Sequence, residues 1–248
     1  MEPLTVLPAD LGPGVRAAFT TRAGGVSVGS YAGLDLALHV GDDRGAVHEN
    51  RALLAAWARA PVRFARQVHG TTVRVLAEGE AGLDDCGAEP EADGLVTSHV
   101  GVPLGVLVAD CLPVLLADAR AGVAAVAHAG RRGLLAGVLL RVVEAMATLG
   151  ARPGEIRASV GPAAGGCCYE VPADMLEEAV AAVPELGATT TWGTPSLDLR
   201  AGAVAQLRAL GVAAVTTAGG CTIEDASCYS YRRSGKTGRF AGVVVLAP

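Results

Sequence analysis

Aromatic residues make up only 4% of this 248-residue chain, so any core must be assembled mainly from Ala, Val and Leu. A basic excess is also missing: the net charge is −5 and no run of Lys or Arg exceeds a pair. Nucleic-acid duplexes are bound through basic faces that neutralise phosphates, so no nucleic-acid partner is expected. A small anion held by a few local arginines is still allowed. No apolar run approaches the roughly 20 residues that cross a bilayer, and the opening MEPLTVLPADLG lacks the basic and apolar regions of a leader. The expectation is a cytoplasmic protein with no membrane partner. The six cysteines, at 86, 111, 167, 168, 221 and 228, form neither a zinc-ribbon pattern nor an evenly spaced disulfide framework. In a reducing compartment they stay free, some of them as small buried apolar groups.

What is present suffices for a sizeable core: 51% of residues are hydrophobic and 18% charged. There is no repeat, heptad or linker, which predicts one domain over residues 1–248. The acidic stretch Ala77 to Asp93 reads as a surface loop with solvated carboxylates. Apolar runs bounded by Gly, Pro or Asp predict strands over Val102–Val108, Val114–Leu116, Val123–Ala127 and Val243–Leu246. Helical spacing covers His48–Arg59, Leu134–Leu149, Ala173–Val183 and Ala201–Leu210, with Pro172 suited to a first helical turn. Strands in runs, with helices that do not strictly alternate, indicate an α+β fold.

Three segments stand out chemically: Gln67-Val68-His69-Gly70, Ala109-Asp110-Cys111-Leu112-Pro113 and Ala127-His128-Ala129-Gly130. Each puts a metal-ligand residue type at a strand end beside Gly or Pro. One thiolate and two imidazoles suit zinc, and three protein ligands leave a fourth position open, as at catalytic sites. Such an ion lowers the pKa of water towards roughly 7, and Asp110 could orient a neighbouring imidazole. The spacing matches no compact motif, so three unrelated buried or capped residues remain an alternative. His39, His48 and His99 read as structural.

Several further segments have competing explanations. Gly130-Arg131-Arg132-Gly133 before a helix is either an anion site or a pair of solvated arginines. The Thr20–Ser27 turn, carrying Arg22 and Ser27, is either a hairpin or a loop over substrate. In the glycine-rich loop from Gly161, adjacent Cys167 and Cys168 are badly placed to bond to each other, and burial is the expected role. Ser234-Gly235-Lys236-Thr237 imitates a P-loop end, but Ser230 stands where its first glycine belongs and a strand follows. The basic stretch Arg232, Arg233, Lys236 and Arg239 reads as a solvated hairpin.

In order, Phe19-Thr20-Thr21-Arg22, Gly24-Gly25-Val26-Ser27, His39-Val40-Gly41-Asp42, Glu49-Asn50-Arg51, the three segments above, Gly161-Pro162, Cys168-Tyr169-Glu170-Val171, Tyr231-Arg232-Arg233 and Thr237-Gly238-Arg239 resemble the laccase-domain family. Its members are also called multicopper polyphenol oxidase-like or YfiH-like. The resemblance implies a single domain of packed mixed sheets flanked by helices, with zinc on His69, Cys111 and His128, which would also be the catalytic residues. It further implies a purine nucleoside phosphorylase that also deaminates adenosine and cleaves methylthioadenosine, with nucleoside and phosphate as partners. Arg22, Ser27, Arg51 and Arg132 are then candidate substrate-binding residues. Two alternatives are copper-dependent polyphenol oxidation and a cysteine hydrolase that edits cell-wall precursors, pairing Cys111 with His128 or His69. The chain departs from the family at Arg131, where Trp is usual after HAG, and at Asp35, where Asn is usual between two leucines. Loss of that Trp removes an aromatic stacking surface.

Overall fold

Two sheets stacked face to face, with helical cover on both outer sides, form the computed structural model, which describes residues 4–76 and 91–247. Cys86 and residues 77–90 of the acidic segment lie outside the described residues. One sheet has six strands in the order Ala214–Thr217, Arg157–Val160, Leu112–Asp118, Val123–Ala129, Gly94–Thr97, Val73–Val75. Its outer pairs are parallel and its inner pairs antiparallel. The other has four strands, Val6–Pro8, Val15–Thr20, Phe240–Leu246 and Leu104–Val108, all antiparallel. The architecture is a single domain of mixed sheets and helices.

Strand alternation explains the layering. Along Leu112–Asp118, Val114 and Leu116 join the core beneath the helices, while Leu115 and Ala117 join the core between the sheets. Along Phe240–Leu246, Phe240 and Val244 face the other sheet, and Ala241 and Val243 face outward onto Leu34, Leu36 and Leu54. Both faces of each central strand are covered, so their sequences are continuous apolar runs rather than alternating ones. Each buried Val or Leu is worth roughly 1.5–3 kcal/mol relative to exposure. The few aromatics are placed centrally: Phe19, Phe240 and Tyr229 are the largest fully buried side chains, and small and branched residues fill the layers around them.

The helices cover the outer faces. Arg44–Ala58 begins four residues earlier than its spacing suggests, because Asp43 caps it by accepting the Ala46 N–H at 2.9 Å. It buries Val47, Asn50, Leu54 and Ala58, one stripe at helical spacing. The expected helix over Leu134–Leu149 is two helices, Arg131–Leu135 and Val138–Thr148. Gly137 separates them with φ +90°, a left-handed conformation that interrupts the helical ladder. Pro172 stands at the N-cap of Ala173–Ala182 rather than in its first turn. Asp198 caps Leu199–Ala209. Among the described residues no helix is long and apolar enough to cross a membrane.

One connection decides where chemistry can occur. The chain leaves the four-stranded sheet at Val108 and enters the six-stranded sheet at Leu112, so Ala109-Asp110-Cys111 bridges the two sheets at one end of the sandwich.

Candidate metal centre and its cavity

Strand register brings two of the candidate ligands together. Leu112 pairs with Ala129 and Pro113 with His128, so Cys111, one residue before the strand, sits beside the end of Val123–Ala129. His69 arrives from the Gln67–Gly70 turn. Gln67 anchors that turn to the other sheet, donating from Nε2 to the Leu107 carbonyl at 2.7 Å and accepting the Leu107 N–H at 2.8 Å. The Cys111 sulfur lies 3.6 Å from His69 Nε2, the two imidazoles meet edge to face at 4.7 Å, and the three donor atoms all lie within 4.8 Å of one another. Among the described residues, His69 and Asp110 are two of three non-glycine residues with positive φ, at +60° and +87°. Backbone conformations of this kind persist where tertiary contacts over-determine them, commonly at functional sites.

A carboxylate missed in the sequence orients the His128 imidazole and anchors the backbone of His69. Asp93, the last residue of the segment read as solvated, is 2% exposed. Its Oδ1 accepts the His128 Nδ1–H at 2.8 Å and the His69 backbone N–H at 2.9 Å, and Oδ2 accepts the Gly70 N–H at 2.7 Å. This corrects the role expected of Asp110. Asp110 instead accepts from the Thr222 hydroxyl and the Arg232 backbone N–H, both at 2.6 Å. Burial works against charge on Asp93, but the hydrogen bond from His128 and those from the backbone hold its carboxyl below the usual range.

The three side chains fit a metal ion. Burial alone would raise the Cys111 thiol, yet hydrogen bonds and charge from His128 and His69 bring it down to about 6. Burial would lower His128, but Asp93 and Cys111 raise it to about 9. A cation bound here would be held by the Cys111 thiolate and the imidazoles of His69 and His128, with the His128 Nδ1–H still donating to Asp93, the carboxylate–histidine–metal arrangement. Gly130 leaves the necessary room: a Cβ there would lie 2.7 Å from His69 Cδ2 and 3.1 Å from the Cys111 sulfur. His69, Cys111 and His128 therefore form a group able to hold a metal ion.

The group opens into a cleft of about 380 Å³, within the range of small-ligand sites. Its walls carry Arg131, Arg232, Arg239, Tyr169, Tyr231 and His39. Arg232 lies over the Tyr169 ring at 4.9 Å and Arg239 over Tyr231 at 6.0 Å. Two expectations are corrected here. Arg232 and Arg239 are not a solvated hairpin: Arg232 lies in the short helix Tyr231–Ser234, Arg239 immediately precedes the strand Phe240–Leu246, and both line the cleft. His39 is part of the cleft wall rather than a purely structural histidine.

The expected substrate-binding residues are placed elsewhere. Arg22 donates from Nε and Nη2 to the Ala32 carbonyl at 3.2 and 3.0 Å and lies over Tyr229. Ser27 is buried, donating to Asp42 at 2.6 Å and accepting from Asn50 at 2.9 Å. Arg51 donates to the Leu36 carbonyl at 2.9 Å and covers Phe64. Arg132 is exposed on its helix, and its neighbour Arg131 faces the cleft. None of these four lines the cavity. Nothing in residue type distinguished Arg131 from Arg132, because only the helix phase separates them.

Residues 16–247 match the family described as multi-copper polyphenol oxidoreductase laccase. The chain belongs to this laccase family. A Streptomyces coelicolor member named a purine nucleoside phosphorylase is 50% identical over 236 residues, 94% of this chain and 96% of its own. A Mycobacterium tuberculosis protein of the same name is 47% identical over 234 residues, 93% and 91% of the two chains. Among solved laccase-family folds, a Neisseria meningitidis protein superposes with TM-score 0.87 at 35% identity, covering 100% of both chains. YlmD of Geobacillus stearothermophilus gives 0.86 at 34%, over 95% of this chain and 93% of its own.

Proposed function

We propose that this chain is a zinc-dependent purine nucleoside phosphorylase that also deaminates adenosine and cleaves methylthioadenosine with phosphate. The observation that carries the reading is a thiolate and two imidazoles converging at the end of a cleft walled by three arginines and two tyrosines. Relatives at 47–50% identity bear the phosphorylase name. When bound, a divalent ion supplies Lewis acidity that activates water or polarises a substrate oxygen.

The chain's own residues do the rest. Arg131, Arg232 and Arg239 offer guanidinium forks that match phosphate oxygens, and they oppose the charge of the anion. Tyr169 and Tyr231, each with a guanidinium over one face, leave the opposite face as the aromatic surface for a base where Arg131 stands instead of Trp. In phosphorolysis a phosphate oxygen bonds to ribose C1′ as the bond from C1′ to the purine nitrogen breaks. The bonding pair leaves with the base, which takes up a proton, giving free purine and ribose 1-phosphate. Asp93 holds His128 in one tautomer throughout. Free thiols fit a reducing cytoplasm.

Zinc is favoured over a multicopper oxidase centre because two imidazoles and one thiolate furnish a single ion's ligands. The test is product analysis on adenosine and inosine, with and without phosphate, using protein assayed for zinc and copper. Free base and ribose 1-phosphate that vanish in Cys111→Ala support the reading. Undiminished turnover in that variant ends it. A second reading, a metal-free cysteine hydrolase, is favoured by the Cys111–His128–Asp93 alignment. It predicts hydrolysis that persists after chelation.

A further inference from the structure

A second donor cluster lies behind the wall of the cleft. Cys167 and Cys168, in the loop before Ala173–Ala182, meet Cys221 and Glu224, in the loop after Ala214–Thr217. Their four ligand atoms all lie within 4.8 Å of one another. The sulfurs of Cys167 and Cys168 are 3.2 Å apart, and the Cys167 thiol donates to Glu224 Oε2 at 3.3 Å. The Gly165 N–H points at the Cys221 sulfur from 3.3 Å, a contact suited to a thiolate. A Cβ at Gly165 would come within 3.2 Å of the Cys167 sulfur and of Cys221 Cβ, so the glycine keeps the space between the sulfurs clear.

We propose that Cys167, Cys168, Cys221 and Glu224 bind a second, structural zinc-type divalent cation. Three sulfurs and one carboxylate are a four-ligand set that zinc accepts. Ligands about 2.3 Å from a tetrahedral ion stand about 3.8 Å apart, so the present separations close around an ion with small side-chain movements. Both supporting loops are already held. Cys221 bridges Ala163, the Thr222 N–H donates to the Ala163 carbonyl at 3.0 Å, and Arg233 Nη1 donates to the carbonyls of Thr222 and Asp225 at 2.6 and 3.0 Å. A disulfide between the adjacent Cys167 and Cys168 is geometrically disfavoured.

The position gives the ion a purpose. Asp110, next to Cys111, accepts the Thr222 hydroxyl through Oδ1, and its carbonyl accepts the Ala164 N–H at 2.9 Å. The cluster thus clamps together the loop that ends in Tyr169 and the loop that leads to Tyr231 and Arg232, two walls of the cleft.

The test needs no substrate. The full chain, kept reduced, is loaded with zinc, desalted and analysed for metal. Two zinc per chain are expected, one remaining in Cys111→Ser and one in the double variant Cys167→Ser, Cys221→Ser. Cobalt titration of Cys111→Ser should show thiolate-to-cobalt charge-transfer absorption, which reports the site in a chain whose cluster is untouched. Glu224 is exposed, so Glu224→Ala should fold normally and weaken the second zinc at least tenfold in chelator competition. A Cys111→Ser protein that takes up neither zinc nor cobalt overturns the proposal. So does a Glu224→Ala protein that holds the second ion as tightly as before. Loss of the first ion's activity has no bearing on either outcome.

Discussion

Asp93 Oδ1 accepts hydrogen bonds from the His69 backbone and from the His128 ring at once, so one buried carboxylate ties the His128 imidazole to the turn that carries His69. Asp93→Asn keeps the size but loses the charge, and it presents an N–H₂ group where N–H groups already point. Such partners of metal-bound histidines are typically worth 10–100-fold in metal affinity. We expect a loss of about that size in chelator competition, with the circular dichroism spectrum unchanged. Unaltered affinity would remove Asp93 from the centre.

Gly130 offers a second probe. Its φ is −70°, which alanine adopts freely, so Gly130→Ala acts through its methyl group alone. That methyl would push His69 and Cys111 apart. Displacements approaching an ångström at a reacting group cost about 10²-fold in rate. Turnover should fall by about that factor while the melting temperature stays close to the parent's. A fully active variant would mean that His69 and Cys111 need not sit as observed.

The Cys111 thiol should betray itself by its reactivity. In metal-stripped protein, alkylation at Cys111 should follow a titration centred near pH 6, because its imidazole neighbours bring the thiol down from 9.0 to about 6. Cys228, pushed up by burial to about 11, should stay unlabelled over that range. Added zinc should protect Cys111. Peptide mapping of the labelled protein reads all three, and a midpoint near 9 would contradict the thiolate.

Asp35 predicts a pH-dependent stability. It is 0% exposed, Oδ1 accepts the N–H groups of Arg239 and Ala37 at 2.8 and 3.1 Å, and Oδ2 is buried without a hydrogen-bond partner among the described residues. Burial raises its carboxyl from 3.8 to about 6, with the nearby Asp42 carboxylate adding to the rise. The folded state therefore holds a proton that the unfolded state has lost. Stability from this group is fully present below pH 3.8 and lost as pH rises through about 6. Asp35→Asn, which removes the titrating group at nearly the same size, should gain about 1–3 kcal/mol above pH 6. The gain should shrink towards pH 4. Parallel denaturation curves at pH 4, 6 and 8 measure it, and a gain equal at every pH would refute the assignment.

Residue types and local spacing alone carried the apolar strand runs and the helical stripes, and singled out His69, Cys111 and His128 as donor types beside Gly or Pro, which the family resemblance then joined into one ligand set. These signals are short-range, because the periodicity of a strand or helix is written in consecutive residues. Asp93, Arg232, Arg239 and His39 were not legible in that way. Asp93 meets His128 across 35 residues and His69 across 24, and Asp110 meets Arg232 across 122. Such meetings follow from strand order and register, and from the crossover at Ala109-Asp110-Cys111 that joins one sheet to the other. The local sequence of a charged segment is the same whether it faces water or a neighbouring loop. Packing alone separated the carboxylate that orients His128 from those that are solvated, and the arginines of the cleft from those that brace the fold.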